Sequence, residues 1–289
     1  PKSLRSTQQH LYEYLLAWWK RPRQLFRPYA AWASKMTVEA VLWDLDGTLV
    51  DTAPDLVSVL NTLLATRGLP PIPFAVARNE VSNGALGLIR LGLGSQGSAE
   101  ETEVLRQEFL DTYTQQICIR SQVFKGLEDI LTTLDKQGTG WGIVTNKPHA
   151  MTQPLLKALG LLHRPGCVVS GDRLPQRKPD PAPLRLGAQE LGVPPERCVY
   201  VGDAPRDIDA GRAAGMATIA ASYGYIRSND DPHSWGASVV IRRPTELLEA
   251  LDQLQCEQHS ASDRPFVGKF VLRAIRHFHR SSRWAVPRS

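Results

Sequence analysis

Short apolar runs alternate with helix-length amphipathic stretches along this chain of 289 residues, and this alternation restricts the fold more than any other feature. Because the runs are short and rich in β-branched and aromatic side chains, they predict strands. The six predicted strands span residues 38–45, 139–145, 167–170, 197–202, 217–221 and 238–241. Strands separated by helices form parallel sheets, since each parallel connection must cross back over the sheet. We therefore expect an α/β fold with a Rossmann-like, three-layer, parallel-sheet core.

One interval, residues 53–121, interrupts the alternation and contains only helical patterns. The run Thr52-Ala-Pro-Asp55 predicts a helix start with proline in the first turn, and Gly68 predicts the end of that helix. A helical block after the first strand predicts an inserted all-helical cap domain over residues 53–121. The core would then comprise residues 36–52 and 122–257.

The positive charge of the chain is confined to its two ends. The formal net charge is +5, but residues 1–35 and residues 260–289 each carry seven basic side chains against one acidic side chain. The remaining residues carry 20 basic and 27 acidic side chains. Because electrostatic attraction depends on local charge, we expect no nucleic-acid partner. We predict a basic, aromatic N-terminal extension over residues 1–35 and a basic C-terminal tail over residues 258–289.

The expected compartment follows from the N-terminal segment, the hydropathy and the cysteines. Residues 1–35 lack the apolar run of a signal peptide, and Met36 stands two residues before the first predicted strand, so we interpret residues 1–35 as an upstream extension. No apolar stretch approaches the roughly 20 residues of a membrane-spanning helix. The four cysteines form no CxxC pair, which argues against a disulfide framework or a zinc site. We expect a cytoplasmic protein without a membrane span.

Two carboxylates, Asp44 and Asp46, stand two residues apart at the end of the first predicted strand. Such a pair can divide a reaction, with one carboxylate acting as nucleophile and the other moving a proton. Gly47 and Thr48 follow, and the backbone N–H groups of a glycine turn can approach an anion. We therefore take Gly47 and Thr48 as candidate substrate-binding residues. Taken alone, this motif is equally typical of an ordinary strand end.

A second acidic pair, Asp203 and Asp207, follows the predicted strand at residues 197–202. Because the carboxyl ends of parallel strands meet at one edge of a sheet, four carboxylates would converge there and repel one another. Hard oxygen ligands of this kind suit Mg²⁺, which predicts a magnesium site. The alternative is that both residues only cap the helix that follows them.

Two further strand ends offer groups that bind anions. Thr145 and Asn146 end the predicted strand at residues 139–145 and supply a hydroxyl and backbone N–H groups, while Lys178 supplies a positive charge. Each is weak alone, because a threonine often caps a strand and a lysine is often only solvated. Together with the acidic motifs they predict one catalytic site at the carboxyl edge of the sheet, with Asn146 as a candidate substrate contact.

The motifs occur in the order Asp-x-Asp-Gly-Thr, Thr-Asn, Lys-Pro-Asp and Gly-Asp-x-x-x-Asp. Over about residues 37–255 this order resembles the haloacid dehalogenase-like hydrolases, specifically the phosphatases with a helical cap. The resemblance implies an aspartyl-phosphate mechanism in which Asp44 attacks phosphorus. Asp46 would protonate the leaving alcohol and later activate water, a role that the dehalogenase members do not need.

The same resemblance implies roles for the remaining motif residues. Thr145 would hydrogen-bond the phosphoryl group, and Lys178 would balance its charge and that of Asp44. The implied Mg²⁺ ligands are Asp44, Asp203 and the backbone carbonyl of Asp46, while Asp207 would support Lys178 or a metal-bound water.

Segments outside the motifs bear on the substrate, which should be a small phosphorylated sugar or organic acid. Val81-Ser-Asn-Gly-Ala85, with two later segments at residues 222–226 and 233–237, is similar to bacterial N-acetylmuramic acid 6-phosphate phosphatases of peptidoglycan recycling. The run at residues 46–56 is similar to phosphoglycolate phosphatases, so 2-phosphoglycolate is the alternative substrate. Ser82, Asn83 and Arg90 are candidate contacts to the sugar and its lactyl carboxylate, because arginine pairs bidentately with carboxylates. Arg90 is equally typical of an exposed helix residue.

Other functions stay open on the sequence alone. A sugar phosphomutase can share this fold, and basic aromatic tails can bind nucleic acid or membranes. The run Gly92-Leu-Gly94-Ser-Gln-Gly97 matches a dinucleotide-binding fingerprint, but it follows a helical pattern instead of a strand. We therefore expect no nicotinamide cofactor.

Overall fold

The computed structural model describes residues 38–94 and 98–262, with the side chains of the last helix described through residue 255. The predicted N-terminal extension over residues 1–35 and residues 263–289 of the predicted tail lie outside the described residues. Within the described part, no helix combines the length and the apolar character needed to cross a membrane.

The central sheet contains six parallel strands, and all six predicted strands are confirmed with ends shifted by no more than two residues. In chain order, the strands in the described residues are β1 (Ala40–Trp43), β2 (Val50–Asp51), β3 (Gln122–Val123), β4 (Gly140–Val144), β5 (Cys167–Val169), β6 (Cys198–Gly202), β7 (Ala217–Ala221) and β8 (Val239–Ile241). The sheet order is β5-β4-β1-β6-β7-β8. The order reverses between β1 and β6, and ligands of doubly wound sheets bind at the carboxyl ends of the strands beside such a reversal.

Nine α-helices accompany these strands in the described residues. They are α1 (Ala53–Ala65), α2 (Phe74–Arg78), α3 (Gly84–Leu93), α4 (Ala99–Gln115), α5 (Leu127–Gln137), α6 (His149–Ala158), α7 (Ala182–Leu191), α8 (Pro205–Ala214) and α9 (Leu247–Ser262). Short 3₁₀ turns, including one at Val81–Asn83, connect some of them.

The sheet buries a separate apolar layer on each face. Val41 and Trp43 of β1 pack in a cluster with residues of α5, α6 and α9. Ala40 and Leu42 pack in a second cluster with residues of α7 and α8. Successive side chains of a strand point to opposite faces, so four consecutive buried residues of β1 require helices on both sides. The predicted three-layer α/β core is confirmed.

The inserted segment is helical, as predicted, and has an apolar core of its own. Helices α1 to α4 follow one another between β2 and β3, and their buried side chains include Leu60, Leu64, Leu88 and Phe109. The first cap helix ends at Ala65 and a turn then leads to Gly68, where the sequence pattern predicts its end. Gly92 lies inside α3, so the glycine-rich run begins on a helix and not after a strand.

The two connections between the cap and the core lie side by side. Strands β2 and β3 form a two-stranded antiparallel ribbon that the sequence analysis does not predict. Buried Asp55, in the first turn of α1, accepts hydrogen bonds from the Arg120 N–H at 2.9 Å and from the N–H and hydroxyl of Ser121 at 2.8 and 2.6 Å. One carboxylate therefore ties the segment that enters the cap to the segment that leaves it.

We expect Asp55→Asn to lower the free energy of unfolding by about 2–3 kcal/mol, because the amide removes a charged acceptor from buried donors. Asp111→Asn on the exposed face of α4 is the control, with an expected change within about 0.5 kcal/mol. Urea unfolding followed by circular dichroism measures both. Equal stability of the two variants would contradict this role for Asp55.

Candidate active site

A buried lysine joins two carboxylates at the edge of the sheet. Asp44 directly follows β1, Lys178 lies in the loop between β5 and α7, and Asp207 lies in the first turn of α8. The Lys178 Nζ lies 2.8 Å from Asp44 Oδ1 and 2.8 Å from Asp207 Oδ1. It also donates a hydrogen bond to the Tyr200 hydroxyl at 2.8 Å, and this hydroxyl donates to the Val144 carbonyl. The ammonium thus has three protein oxygens at 2.8 Å, two of them from carboxylates.

A third carboxylate, Asp203, completes the cluster from the end of β6. Its Oδ2 accepts hydrogen bonds from the Ser82 hydroxyl and the Tyr225 N–H, both at 2.8 Å, and its Oδ1 accepts one from the Thr48 hydroxyl at 3.4 Å. Oxygens of Asp44, Asp203 and Asp207 lie within 4.8 Å of one another. The predicted substrate contacts Ser82 and Thr48 therefore contact this acidic cluster directly.

The charge of the cluster fits a divalent cation. Three buried carboxylates face one ammonium, and the guanidinium of Arg206 is the second positive charge close enough to influence them. Burial and the neighbouring charges of Asp44 and Asp207 raise the pKa of Asp203 to about 7. A hard cation would relieve this repulsion, and oxygen ligands of this type suit Mg²⁺.

Gly47 allows the chain to pass close to this cluster. Its φ of +87° belongs to the region that favours glycine. A Cβ atom at this position would lie 2.2 Å from Asp203 Oδ2 and 2.7 Å from Cδ2 of Tyr225. The glycine is thus required both by the backbone conformation and by the close approach of Asp203.

The second aspartate of the first motif has different partners. Asp46 Oδ1 accepts hydrogen bonds from the Thr52 hydroxyl at 2.6 Å and from Lys147 Nζ at 3.1 Å. Lys147 also donates to the hydroxyl of Tyr113 on cap helix α4 at 3.1 Å. Burial opposes the charge of Lys147, but Asp46 and Tyr113 raise its pKa above the usual lysine value. Asp46 thus lies beside a lysine that stays protonated and that contacts the cap.

The remaining core motif residues hold one another in place. The Thr145 hydroxyl accepts a hydrogen bond from the Lys147 N–H at 3.1 Å. The side chain of Asn146 accepts from the Lys178 N–H at 3.0 Å and donates to the Lys178 carbonyl at 3.1 Å. Asn146 therefore holds the main chain of the loop that presents Lys178.

Core and cap residues together line a cleft of about 580 Å³. The core contributes Asp44, Asp46 and the segment from Thr145 to Pro148, and the cap contributes the segment from Val81 to Leu86 and part of α4. Of the three predicted cap contacts, Ser82 and Asn83 line this cleft. Arg90 is exposed on α3 and is not among the lining residues.

Four further residues support the site, although the sequence analysis assigns them no role. Lys147 directly follows Thr145 and Asn146, so its position in the chain signals its importance. Arg206 lies between Asp203 and Asp207 in the last motif and has a similar signal, whereas Tyr113 and Tyr200 have none, because their patterns are those of ordinary helix and strand residues. The Arg206 guanidinium donates to the Ser82 carbonyl at 2.6 Å and so joins α8 to the cap.

Residues 38–215 match the family model of the haloacid dehalogenase-like hydrolases. The N-acetylmuramic acid 6-phosphate phosphatase of Pseudomonas aeruginosa is 41% identical to this chain over 223 residues, which cover 77% of the chain and 99% of that relative. The phosphoglycolate phosphatase of Xanthomonas campestris is 44% identical over 210 residues, which cover 73% of the chain and 95% of that relative.

A solved structure is similar over the same part of the chain. The crystal structure of a predicted phosphoglycolate phosphatase from Haemophilus somnus shares 27% sequence identity and has a TM-score of 0.67. The match covers 75% of this chain and 99% of that structure. The similarity thus extends over the core and the cap together.

We expect Gly47→Ala to lower the affinity for Mg²⁺ by about 10- to 100-fold, because the added Cβ displaces the Asp203 carboxylate. Gly68→Ala is a matched control, since Gly68 also has a positive φ, of +65°, but nothing lies within 4 Å of its Cβ position. Isothermal titration calorimetry with Mg²⁺ measures both variants. An equal affinity of the two variants for Mg²⁺ would contradict the inferred role of the close approach between Gly47 and Asp203.

Proposed function

This chain belongs to the haloacid dehalogenase-like hydrolases and is a phosphatase, and we propose that it hydrolyses N-acetylmuramic acid 6-phosphate with Mg²⁺ through an aspartyl-phosphate intermediate. The observation that carries the chemistry is the cluster of Asp44, Asp203 and Asp207 around Lys178, beside a cleft that contains Asp44. This arrangement combines a carboxylate nucleophile with positive charge for an incoming phosphate.

Asp44 is the proposed nucleophile. Its Oδ1 accepts a hydrogen bond from the Leu45 N–H at 2.8 Å and lies 2.8 Å from Lys178 Nζ, which fixes the orientation of the carboxylate. Among the described residues, no donor binds Oδ2. In the proposed step, a carboxylate oxygen forms a bond to phosphorus while the bond from phosphorus to the sugar oxygen breaks. Fixed orientation favours the in-line geometry that phosphoryl transfer requires.

Asp46 is the proposed acid and base. It lines the same cleft as Asp44, and only its Oδ1 is bound by Thr52 and Lys147. In the first step it would give a proton to the departing sugar oxygen. In the second step it would take a proton from the water that attacks phosphorus, which releases phosphate and restores Asp44. The two carboxylates thus divide nucleophilic and proton-transfer roles.

Three groups would stabilise the negative charge of the phosphoryl group. Lys178 balances the negative charge next to Asp44, and the Thr145 hydroxyl is a donor in the same cleft. Asp44, Asp203 and the backbone carbonyl of Asp46 are the proposed ligands of Mg²⁺, which supplies Lewis-acid stabilisation when bound. Preorganised charge of this kind is a large contribution to phosphoryl-transfer catalysis.

The choice of substrate is supported by similarity and by the size of the cleft. The relative from P. aeruginosa that is named for N-acetylmuramic acid 6-phosphate aligns over 99% of its length. The cleft of about 580 Å³ is within the range of about 300–1,000 Å³ that is typical of drug-sized ligands, and it exceeds what a two-carbon phosphate needs. Hydrolysis of this substrate would place the enzyme in the cytoplasmic recycling of peptidoglycan.

The second candidate substrate is 2-phosphoglycolate. It is favoured by the relative from X. campestris, which has 44% identity and is named for that activity. The core chemistry would be the same for both substrates, because both carry a phosphate at the core. They differ in the group attached to that phosphate, which the cap would contact.

We expect Asp44→Asn to lower kcat by a factor of roughly 10³ or more, because the amide cannot act as the nucleophile. Asp129→Asn, at an exposed position on α5, is the control and keeps full activity. Release of inorganic phosphate from N-acetylmuramic acid 6-phosphate is the measurement. A variant at position 44 with near-normal kcat would exclude the proposed nucleophile.

We also expect kcat/KM for N-acetylmuramic acid 6-phosphate to exceed that for 2-phosphoglycolate at least about tenfold, since only the larger substrate contacts the cap extensively. EDTA should abolish both activities, and added Mg²⁺ should restore them. Free phosphate should equal the substrate consumed, whereas a phosphomutase would release little. A higher kcat/KM for 2-phosphoglycolate would overturn the proposed substrate and leave the chemistry unchanged.

A further inference from the structure

Arg177 lines the same cleft as Asp44 and Asp46 and is exposed. Within residues 38–94 and 98–262, its guanidinium forms no hydrogen bond and no ion pair. A guanidinium has five N–H donors and stays charged at any physiological pH. The wall of the cleft therefore presents a positive charge that no group in the described part of the chain neutralises.

The other cations of the cleft already have partners. Lys147 contacts Asp46, and Arg106 binds both carboxylate oxygens of Glu103 at 2.8 and 2.6 Å. Arg206 donates to the Ser82 carbonyl, and the charges of Asp207, Asp44 and Asp203 raise its pKa. Arg177 is thus the cation of the described cleft lining that is available to a ligand.

The main chain holds Arg177 at a defined place relative to the phosphoryl site. The next residue, Lys178, is bound on its N–H and its carbonyl by the side chain of Asn146 and through Nζ by Asp44. The Arg177 carbonyl itself accepts a hydrogen bond from the Asp180 N–H at 2.9 Å. An arginine on so firmly held a segment can reach a group of the substrate that lies beyond the phosphate.

We propose that Arg177 binds the carboxylate of the substrate, at a subsite distinct from the phosphoryl site. Arginine suits this role because its planar fork can bind both oxygens of a carboxylate. This inference rests on the proposed function, since both candidate substrates carry one phosphate and one carboxylate. With this subsite, the enzyme recognises the carboxylate of the substrate in addition to its phosphate. Arg177 then takes the role of carboxylate contact that the sequence analysis predicts for Arg90.

The test compares each acid with an analogue that lacks the carboxylate. N-acetylmuramic acid 6-phosphate is compared with N-acetylglucosamine 6-phosphate, and 2-phosphoglycolate with ethyl phosphate. The measured quantity is the kcat/KM for the acid divided by the kcat/KM for its analogue. For the acid that the wild type uses, Arg177→Gln should lower this ratio by about 10- to 100-fold. Arg177→Lys should give an intermediate ratio, because it keeps the charge and loses the fork. Arg90→Gln, an exposed arginine outside the cleft lining, should leave the ratio unchanged.

Several outcomes would overturn the subsite. In one, Arg177→Gln lowers kcat/KM equally for an acid and its analogue. In another, Arg90→Gln lowers the ratio as much as Arg177→Gln does. In the third, the wild type has the same kcat/KM for each acid as for its analogue. If the substrate assignment is wrong instead, the wild type would have a higher kcat/KM for 2-phosphoglycolate than for N-acetylmuramic acid 6-phosphate. In that case the second substrate pair still tests Arg177.

Discussion

The site depends on the burial of negative charge around a single lysine. Lys178 contacts Asp44 and Asp207 at 2.8 Å each, and Asp203 lies in the same cluster. Removing the lysine would leave three buried carboxylates with Arg206 as the remaining nearby cation, and a buried charge that loses its ion-pair partner is strongly destabilising. Asp44 follows β1, Lys178 follows β5, and both Asp203 and Asp207 follow β6. Because the carboxyl ends of these parallel strands meet at one edge, the sheet itself brings the charges together. The same excess of negative charge explains why a divalent cation fits here.

The cap contacts the acidic cluster as well as the substrate cleft. Ser82 donates to Asp203, Arg206 donates to the Ser82 carbonyl, and Lys147 connects Asp46 to Tyr113 of α4. The core thus supplies the groups proposed for phosphoryl transfer, while the cap forms much of the wall that would contact the rest of the substrate. This division explains why relatives named for different phosphates can share the same motifs.

The sequence predicts the core well because its signals are local. Each strand of the sheet has its own apolar run, and Asp44, Thr145 and Asp203 follow strands whose carboxyl ends must meet at one edge. The ribbon of β2 and β3 is missed, because two-residue strands have no periodicity to detect. The sequence analysis names Arg90, which does not line the cleft, and assigns no role to Arg177, which does. The cause is similar, since no local pattern says which arginine faces a cleft formed by distant segments.

Trapping of the phosphoenzyme tests the central claim most directly. Wild-type protein is mixed with a stoichiometric amount of N-acetylmuramic acid 6-phosphate and Mg²⁺, quenched in acid within milliseconds, and mapped by mass spectrometry of its peptides. The account predicts a phosphate on Asp44 that forms before free phosphate appears and that hydroxylamine removes, as expected for an acyl phosphate. Phosphate on any other residue, or product formation with no phosphorylated peptide at any time, would contradict it.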